Sequence, residues 1–132
     1  MTVGIGLFPK FRSRTLILEY EDFYFVGAYF PNGQRDHSRV DFKLKYSYHL
    51  KDLCISLWKK SGKGVIITGD FNTAHHSLDL KNPKENLNTT GFLEIERAYI
   101  DDLIADGFID IFRHKHLYDA LLKQRLLSFS AR

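Results

Sequence analysis

Asp70 and Asn72 close the stretch Val65-Ile66-Ile67-Thr68-Gly69-Asp70-Phe71-Asn72, and a carboxylate beside a carboxamide can hold a metal-bound or phosphate-like group. Side chains on an extended chain alternate between faces, so the two polar groups point one way and Phe71 the other. Both residue types also end strands as turn formers, and this stretch alone leaves the two readings open. Tyr29 and Asn32 lie at the end of a second apolar run, Phe23 to Phe30. Hydrolysis of a phosphodiester with a divalent metal requires hard oxygen ligands for Mg²⁺, a base for the attacking water and donors for the non-bridging oxygens. In that chemistry Asp70 serves as base or metal ligand, Asn72 orients water or phosphate, and Tyr29 donates to a phosphate oxygen. A tyrosine at a strand end is also an ordinary interface aromatic.

The stretch from Thr73 to Leu93 has little apolar period and is long enough to suggest function. It holds His75, His76, Asp79, Lys81, Asn82, Lys84, Asn86 and Asn88, donors and cations suited to phosphate oxygens; each is equally at home in a solvated polar loop. His75 and His76 are adjacent, so a strand-like backbone splays them to opposite faces, without the spacing of a zinc pair. His114 and His116 can share a face and read as a solvated tail. There is no glycine-rich phosphate cradle and no Gly-x-Ser-x-Gly elbow, which argues against P-loop and serine-hydrolase chemistry.

The elements that must position these groups follow from the apolar pattern. Residues 3–12 are glycine-punctuated and read as loop. Thr15–Tyr20 and Phe23–Phe30 read as strands of an antiparallel hairpin across Glu21-Asp22, and Pro31-Asn32-Gly33 breaks the second. Ser38-Arg39-Val40-Asp41 resembles a capping box. Val40, Leu44, Leu50, Leu53, Cys54, Leu57 and Trp58 then recur at helical spacing to about Lys60, where Lys59, Lys60 and Gly62 make a fitting end. The strand from Val65 follows. A strand, helix, strand order is a crossover that sets its strands parallel, which brings Tyr29 and Asn32 to the same carboxyl edge as Asp70 and Asn72. Ligands of open α/β sheets bind outside that edge, and this convergence favours the site over the turn. Glu94 to Ala105 resumes helical spacing and stops at Gly107; Phe108–Phe112 alternates as a short strand; Leu117 to Phe129 fits a final amphipathic helix.

The 132 residues suffice for one domain with a real core. Apolar residues at 44% and charged ones at 27% describe an ordinary globular chain. A net charge of +3 permits a phosphate or nucleic-acid partner without demanding one. The single cysteine, Cys54, excludes an internal disulfide framework, sits on the apolar helix face as a core thiol, and fits a reducing compartment. With no run long enough to span a bilayer and no signal-peptide pattern at the start, a cytoplasmic location is expected, with no membrane partner.

Tyr29-Phe30-Pro31-Asn32-Gly33, Gly69-Asp70-Phe71-Asn72-Thr73-Ala74-His75, Asp79-Leu80-Lys81-Asn82-Pro83-Lys84-Glu85-Asn86, Thr90-Gly91-Phe92-Leu93 with Glu96-Arg97, and Asp110-Ile111-Phe112-Arg113 occur in that order. This series resembles the exonuclease III family of apurinic/apyrimidinic endonucleases, within the endonuclease/exonuclease/phosphatase superfamily, over residues 3–116. The resemblance implies an α/β fold, part of a four-layer α/β sandwich of mixed sheet and packed helices. It implies a Mg²⁺-dependent DNA repair nuclease, with Mn²⁺ as an alternative ion, that cuts double-stranded DNA at abasic sites or degrades it from 3′ ends. Asp70 then corresponds to the water-activating or proton-transferring carboxylate, Asn72 to its partner in orienting phosphate and metal, and Tyr29 to the tyrosine on the scissile phosphate. Asn32 and Arg35 fall where the family approaches the DNA, and Lys84, Asn86 and Asn88 in its DNA-contacting loop.

Only the middle of the family pattern is present. The metal-binding glutamate of the first half and the closing Asp-His pair have no counterpart, and residues 117–132 diverge into a leucine-rich tail. The division expected is 1–116 as a partial nuclease domain and 117–132 as a helical tail. A chain so cut is expected to be weak or inactive alone and to associate through exposed faces. Two other outcomes stand beside the nuclease: a non-catalytic DNA-binding remnant, and a related phosphodiesterase acting on RNA or lipid.

Overall fold

The crossover from one strand through a long helix to the next is the frame of the molecule. The structure, a computed structural model, describes residues 2–5 and 12–116. Its strands are β1 (Thr2–Ile5), β2 (Thr15–Glu19), β3 (Phe23–Tyr29) and β4 (Gly64–Asp70), and its α-helices are α1 (Val40–Ser61), α2 (Glu94–Ala105) and α3 (Ile111–Lys115). The strands lie side by side in the order β1-β2-β3-β4. β2 and β3 pair antiparallel, with Ile17 opposite Val26, while β3 and β4 pair parallel, with Val26 opposite Ile67. The sheet is therefore mixed, as expected.

Those three facing residues show which side of the sheet is the core. Val26, Ala28 and Phe30 are buried with Tyr46, Leu50 and Cys54 of α1 and with Tyr99 and Leu103 of α2, and Ile17, Val65 and Ile67 pack against that cluster. Full burial of each large apolar side chain contributes about 1.5–3 kcal/mol. The alternate residues point to the other face, where Leu16 and Ile66 are nearly half exposed at 44% and 49%. Among the described residues the sheet is thus covered on one face.

α1 ends as its sequence requires. Gly62 takes a left-handed φ of 71° and its N–H donates to the Trp58 carbonyl at 2.8 Å, with Lys59 and Lys60 at the negative end of the dipole. The helix begins otherwise than expected. Ser38 donates its hydroxyl to Asp36 at 2.7 Å instead of capping, and Arg39 holds the cap position without a side-chain bond. Ser38 lies one residue before the cap, and its amide and hydroxyl both donate to Asp36 in a local turn.

Two further expectations are corrected. Thr2–Ile5 is a strand, paired antiparallel with β2 from Thr2 opposite Glu19 to Ile5 opposite Leu16; β2 has an open edge there, and ladder bonds along it need no apolar period. Phe108–Phe112 is not a strand. Asp110 accepts the Arg113 amide at 2.9 Å and starts α3 at Ile111, so capping overrides a short alternation. The amphipathic helix expected over 117–132 lies outside the described residues. Among those described, no helix is long and apolar enough to cross a membrane.

Candidate active site at the carboxyl edge

β3 and β4 finish together: Tyr29 and Asp70 are partners in the last rung of the parallel ladder, and the Phe30 amide donates to the Asp70 carbonyl at 2.9 Å. The Tyr29 side chain is exposed. Its carbonyl accepts from Arg14 Nη1 at 3.4 Å, and the Arg14 guanidinium lies 5.2 Å from the centre of the Tyr29 ring.

Asn72 reaches the edge by a route other than strand alternation. The strand stops at Asp70, and Asn72 adopts a left-handed φ of 49°. Its amide donates to Asp70 Oδ1 at 2.9 Å, an Asx turn that the Asp70 carboxylate itself closes. Asn72 Nδ2 donates to the Phe30 carbonyl at 2.8 Å. The turn and the site are one structure, so the two readings of this stretch were never exclusive.

Beside this pair lies a recess of about 150 Å³ lined by Asn32, Asn72, Leu80, Asn86, Thr90, Gly91 and Phe92. Three carboxamides and a hydroxyl make its wall polar without a formal charge. Asn32 accepts from the Gln34 amide at 3.3 Å, and Asn86 Nδ2 donates to the Asn82 carbonyl at 2.7 Å. The structure therefore gathers Asn32, Asn72 and Asn86 in one recess next to Tyr29 and Asp70. It does not bring Arg35, Lys84 or Asn88 into that recess; all three are exposed on the loops around it.

The rest of the 73–93 stretch is more structural than its composition suggested. His75 and Asp79 are buried. Asp79 Oδ2 accepts the amides of His75 and His76 at 3.1 and 2.9 Å, and both Asp79 oxygens accept from Arg113 Nη2, at 3.0 and 2.8 Å. His75 Nε2 pairs with Asp101 Oδ1 at 2.7 Å. The two imidazoles do not splay apart: their centres are 3.8 Å apart, although His76 keeps an extended backbone as it caps the short Ser77–Asp79 helix.

Sequence reasoning missed Lys43 and treated Glu96 only as part of a motif. Lys43 Nζ donates to Glu96 Oε1 at 2.6 Å and to the Asn72 carbonyl at 2.5 Å, with both side chains buried. Burial pushes the Lys43 ammonium below its ordinary value, and the Glu96 carboxylate pulls it back. A signal existed: Val40, Lys43, Ser47, Leu50 and Cys54 form the buried stripe of α1, and a lysine on such a stripe requires a buried anion.

The donor set does not fit a complete metal site. Among the described residues no group of three or more His, Cys, Asp or Glu side chains stands together to hold an ion. Asp70 offers one carboxylate, part of it engaged by Asn72, whereas Mg²⁺ demands near-octahedral oxygen coordination.

No family model matches the chain. It is 39% identical to an exodeoxyribonuclease of Bacillus subtilis over 112 residues, covering 84% of this chain and 44% of that protein. It is 36% identical to a DNA-(apurinic or apyrimidinic site) endonuclease of Dictyostelium discoideum over 121 residues, covering 86% of this chain and 32% of that one. Among solved structures, an AP endonuclease from Archaeoglobus fulgidus matches with a TM-score of 0.75 at 23% identity, over 89% of this chain and 47% of the other. A 3′ phosphatase from Neisseria bound to product DNA hairpin matches with a TM-score of 0.77 at 21% identity, over 98% of this chain and 55% of the other. These two show the fold. The chain spans less than half the length of the two curated relatives. By sequence, the chain is a homologue of proteins named exodeoxyribonuclease and AP endonuclease, matched over most of its own length.

Proposed function

We propose that this chain carries the phosphate-facing edge of a DNA repair nuclease that hydrolyses the backbone of double-stranded DNA at abasic sites or 3′ ends. The observation that supports it best is the rung between Tyr29 and Asp70 standing beside a recess of three asparagines. Asp70 takes the proton of the attacking water, or returns one to the leaving oxygen. Tyr29 donates to a non-bridging oxygen, and Asn72 keeps its carboxamide oxygen for orienting water or phosphate while Nδ2 is held by Phe30. Asn32 and Asn86 face the backbone from the recess, and Arg35, Lys84 and Asn88 approach it from the surrounding loops. Mg²⁺, with Mn²⁺ as the alternative, belongs to this proposal as the ion that would supply charge neutralisation; Asp70 and Asn72 would offer it oxygens without making a whole site.

A duplex with one abasic position tests the reading. With Mg²⁺ and the flanking segments of a relative supplied separately, nicking at that position is expected, reduced at least ~100-fold by Asp70→Ala. Absence of nicking by the chain, even with the flanking segments of a relative supplied separately, overturns the catalytic part.

A second reading, a non-catalytic DNA-binding chain, is favoured by the lack of a three-ligand metal cluster among the described residues. It expects salt-sensitive duplex binding through Arg35, Lys81 and Lys84 that a chelator leaves unchanged.

A further inference from the structure

One buried carboxylate lies behind the Asn72 and Thr90-Gly91 walls of the recess. Glu96 Oε1 accepts from Lys43 Nζ at 2.6 Å and from the Thr90 hydroxyl at 2.9 Å, and Oε2 accepts the amides of Gly91 and Leu93 at 2.6 and 3.2 Å. Thr90 and Gly91 are themselves part of the lining. Through Lys43 the same carboxylate reaches the Asn72 carbonyl, and the Ala74 amide donates to the Gly91 carbonyl at 2.8 Å, tying the loop after β4 to the loop before α2. The third wall, Asn32, rests on Thr90: a Cβ added to the next residue, Gly33, would fall 2.1 Å from the Thr90 hydroxyl.

Neither Lys43 nor Glu96 lines the recess. Their side chains are 2% and 0% exposed, so they have no route to a ligand. A buried pair of this kind gives little net stability, because desolvation offsets the attraction; its attested use is to fix one arrangement among several. Here the arrangement includes a non-glycine residue at positive φ, Asn72 at 49°, a conformation of a kind that costs about 1–3 kcal/mol and persists only where the surroundings over-determine it. Lys43 adds to the Asp70 and Phe30 bonds of Asn72 by holding its carbonyl.

We propose that Lys43 and Glu96 are a positioning pair: they set Asn72, the Asn32 turn and the Thr90-Gly91 wall at the spacing that a phosphodiester oxygen requires. The ligand named here rests on the proposed function, whereas the positioning itself does not.

The test uses the full chain as wild type, Lys43→Met, Lys43→Arg and Glu96→Gln. Amide NMR spectra of each are recorded, together with binding to a short duplex carrying an abasic analogue. Lys43→Met and Glu96→Gln are expected to move the backbone amides of Asn72 and Gly91 and the side-chain amide of Asn72, while Ile17 and Val26 in the hairpin stay in place. Duplex affinity is expected to fall about tenfold, as it does when outer supporting groups are removed from binding sites, and Lys43→Arg is expected to restore most of it. Unmoved Asn72 and Gly91 signals in both variants overturn the proposal. So does loss of the hairpin signals in both, which would assign the pair to stability alone. A wild-type chain that fails to bind the duplex counts against the proposed function only, since the amide shifts still decide the role of the pair.

Discussion

Tyr29 and Asp70 face each other across the final rung of the parallel β3–β4 ladder, so two residues 41 positions apart in sequence present their side chains from adjacent strand ends. The rung depends on Gly69, whose φ is 134° and where a Cβ would fall 1.9 Å from the Ala28 carbonyl oxygen. Gly69→Ala must therefore open the end of the ladder. We expect a loss of about 3 kcal/mol in chemical denaturation and separation of the Tyr29 and Asp70 signals from their wild-type positions. An unchanged midpoint would show that the strand ends are not held by this contact.

Asp79 is buried beneath the histidine pair and is neutralised by Arg113. Arg113→Ala leaves that carboxylate with two backbone amides as its only remaining partners in hydrogen bonds described above. A cost of about 3 kcal/mol is expected in urea denaturation. Arg113→Lys should recover only part of it, because a single ammonium lacks the planar fork that meets Asp79 through Nη2 and Asp110 through Nε at once.

Cys54 is fully buried in the core, and burial pushes its thiol up to about 12. At neutral pH it is expected to resist an aromatic disulfide reagent in the folded chain and to react fully in urea. Labelling then reports unfolding, and rapid reaction of the folded chain would remove Cys54 from the core.

His76 titrates below its ordinary value of 6.5, first through desolvation and then through repulsion from His75 and Arg113. The folded chain thus binds this proton less readily than the unfolded one, so stability is full above about pH 6.5 and falls as pH drops through that value. The urea midpoint should decline between about pH 7.5 and 5, and His76→Gln should flatten that decline. An equal decline in the variant would place the effect on other groups.

Much of the frame was legible because it rests on local pattern. β-branched runs, the apolar stripe of α1 and Gly62 each act within a few residues, and chain order alone makes β3 and β4 parallel and brings their ends together. Cys54 was readable as a core thiol for the same reason. What stayed hidden was non-local. β1 exists because β2 offers an open edge, and the Asp79 carboxylate is accommodated in the interior because Arg113, 34 residues on, meets both its oxygens.

Residue type and order sufficed to put Tyr29, Asn32, Asp70 and Asn72 on one edge, since crossover geometry follows from alternating strand and helix periods. They could not supply the conformation of Asn72. Beyond the Asx turn to Asp70, that conformation rests on Lys43 and Glu96, which are 53 residues apart in the chain and in contact in the fold. Such a partnership has no local signature. It forms because folding withdraws both charges from water, where each alone would be costly, and only the packing of α1 against α2 brings them together beneath the site.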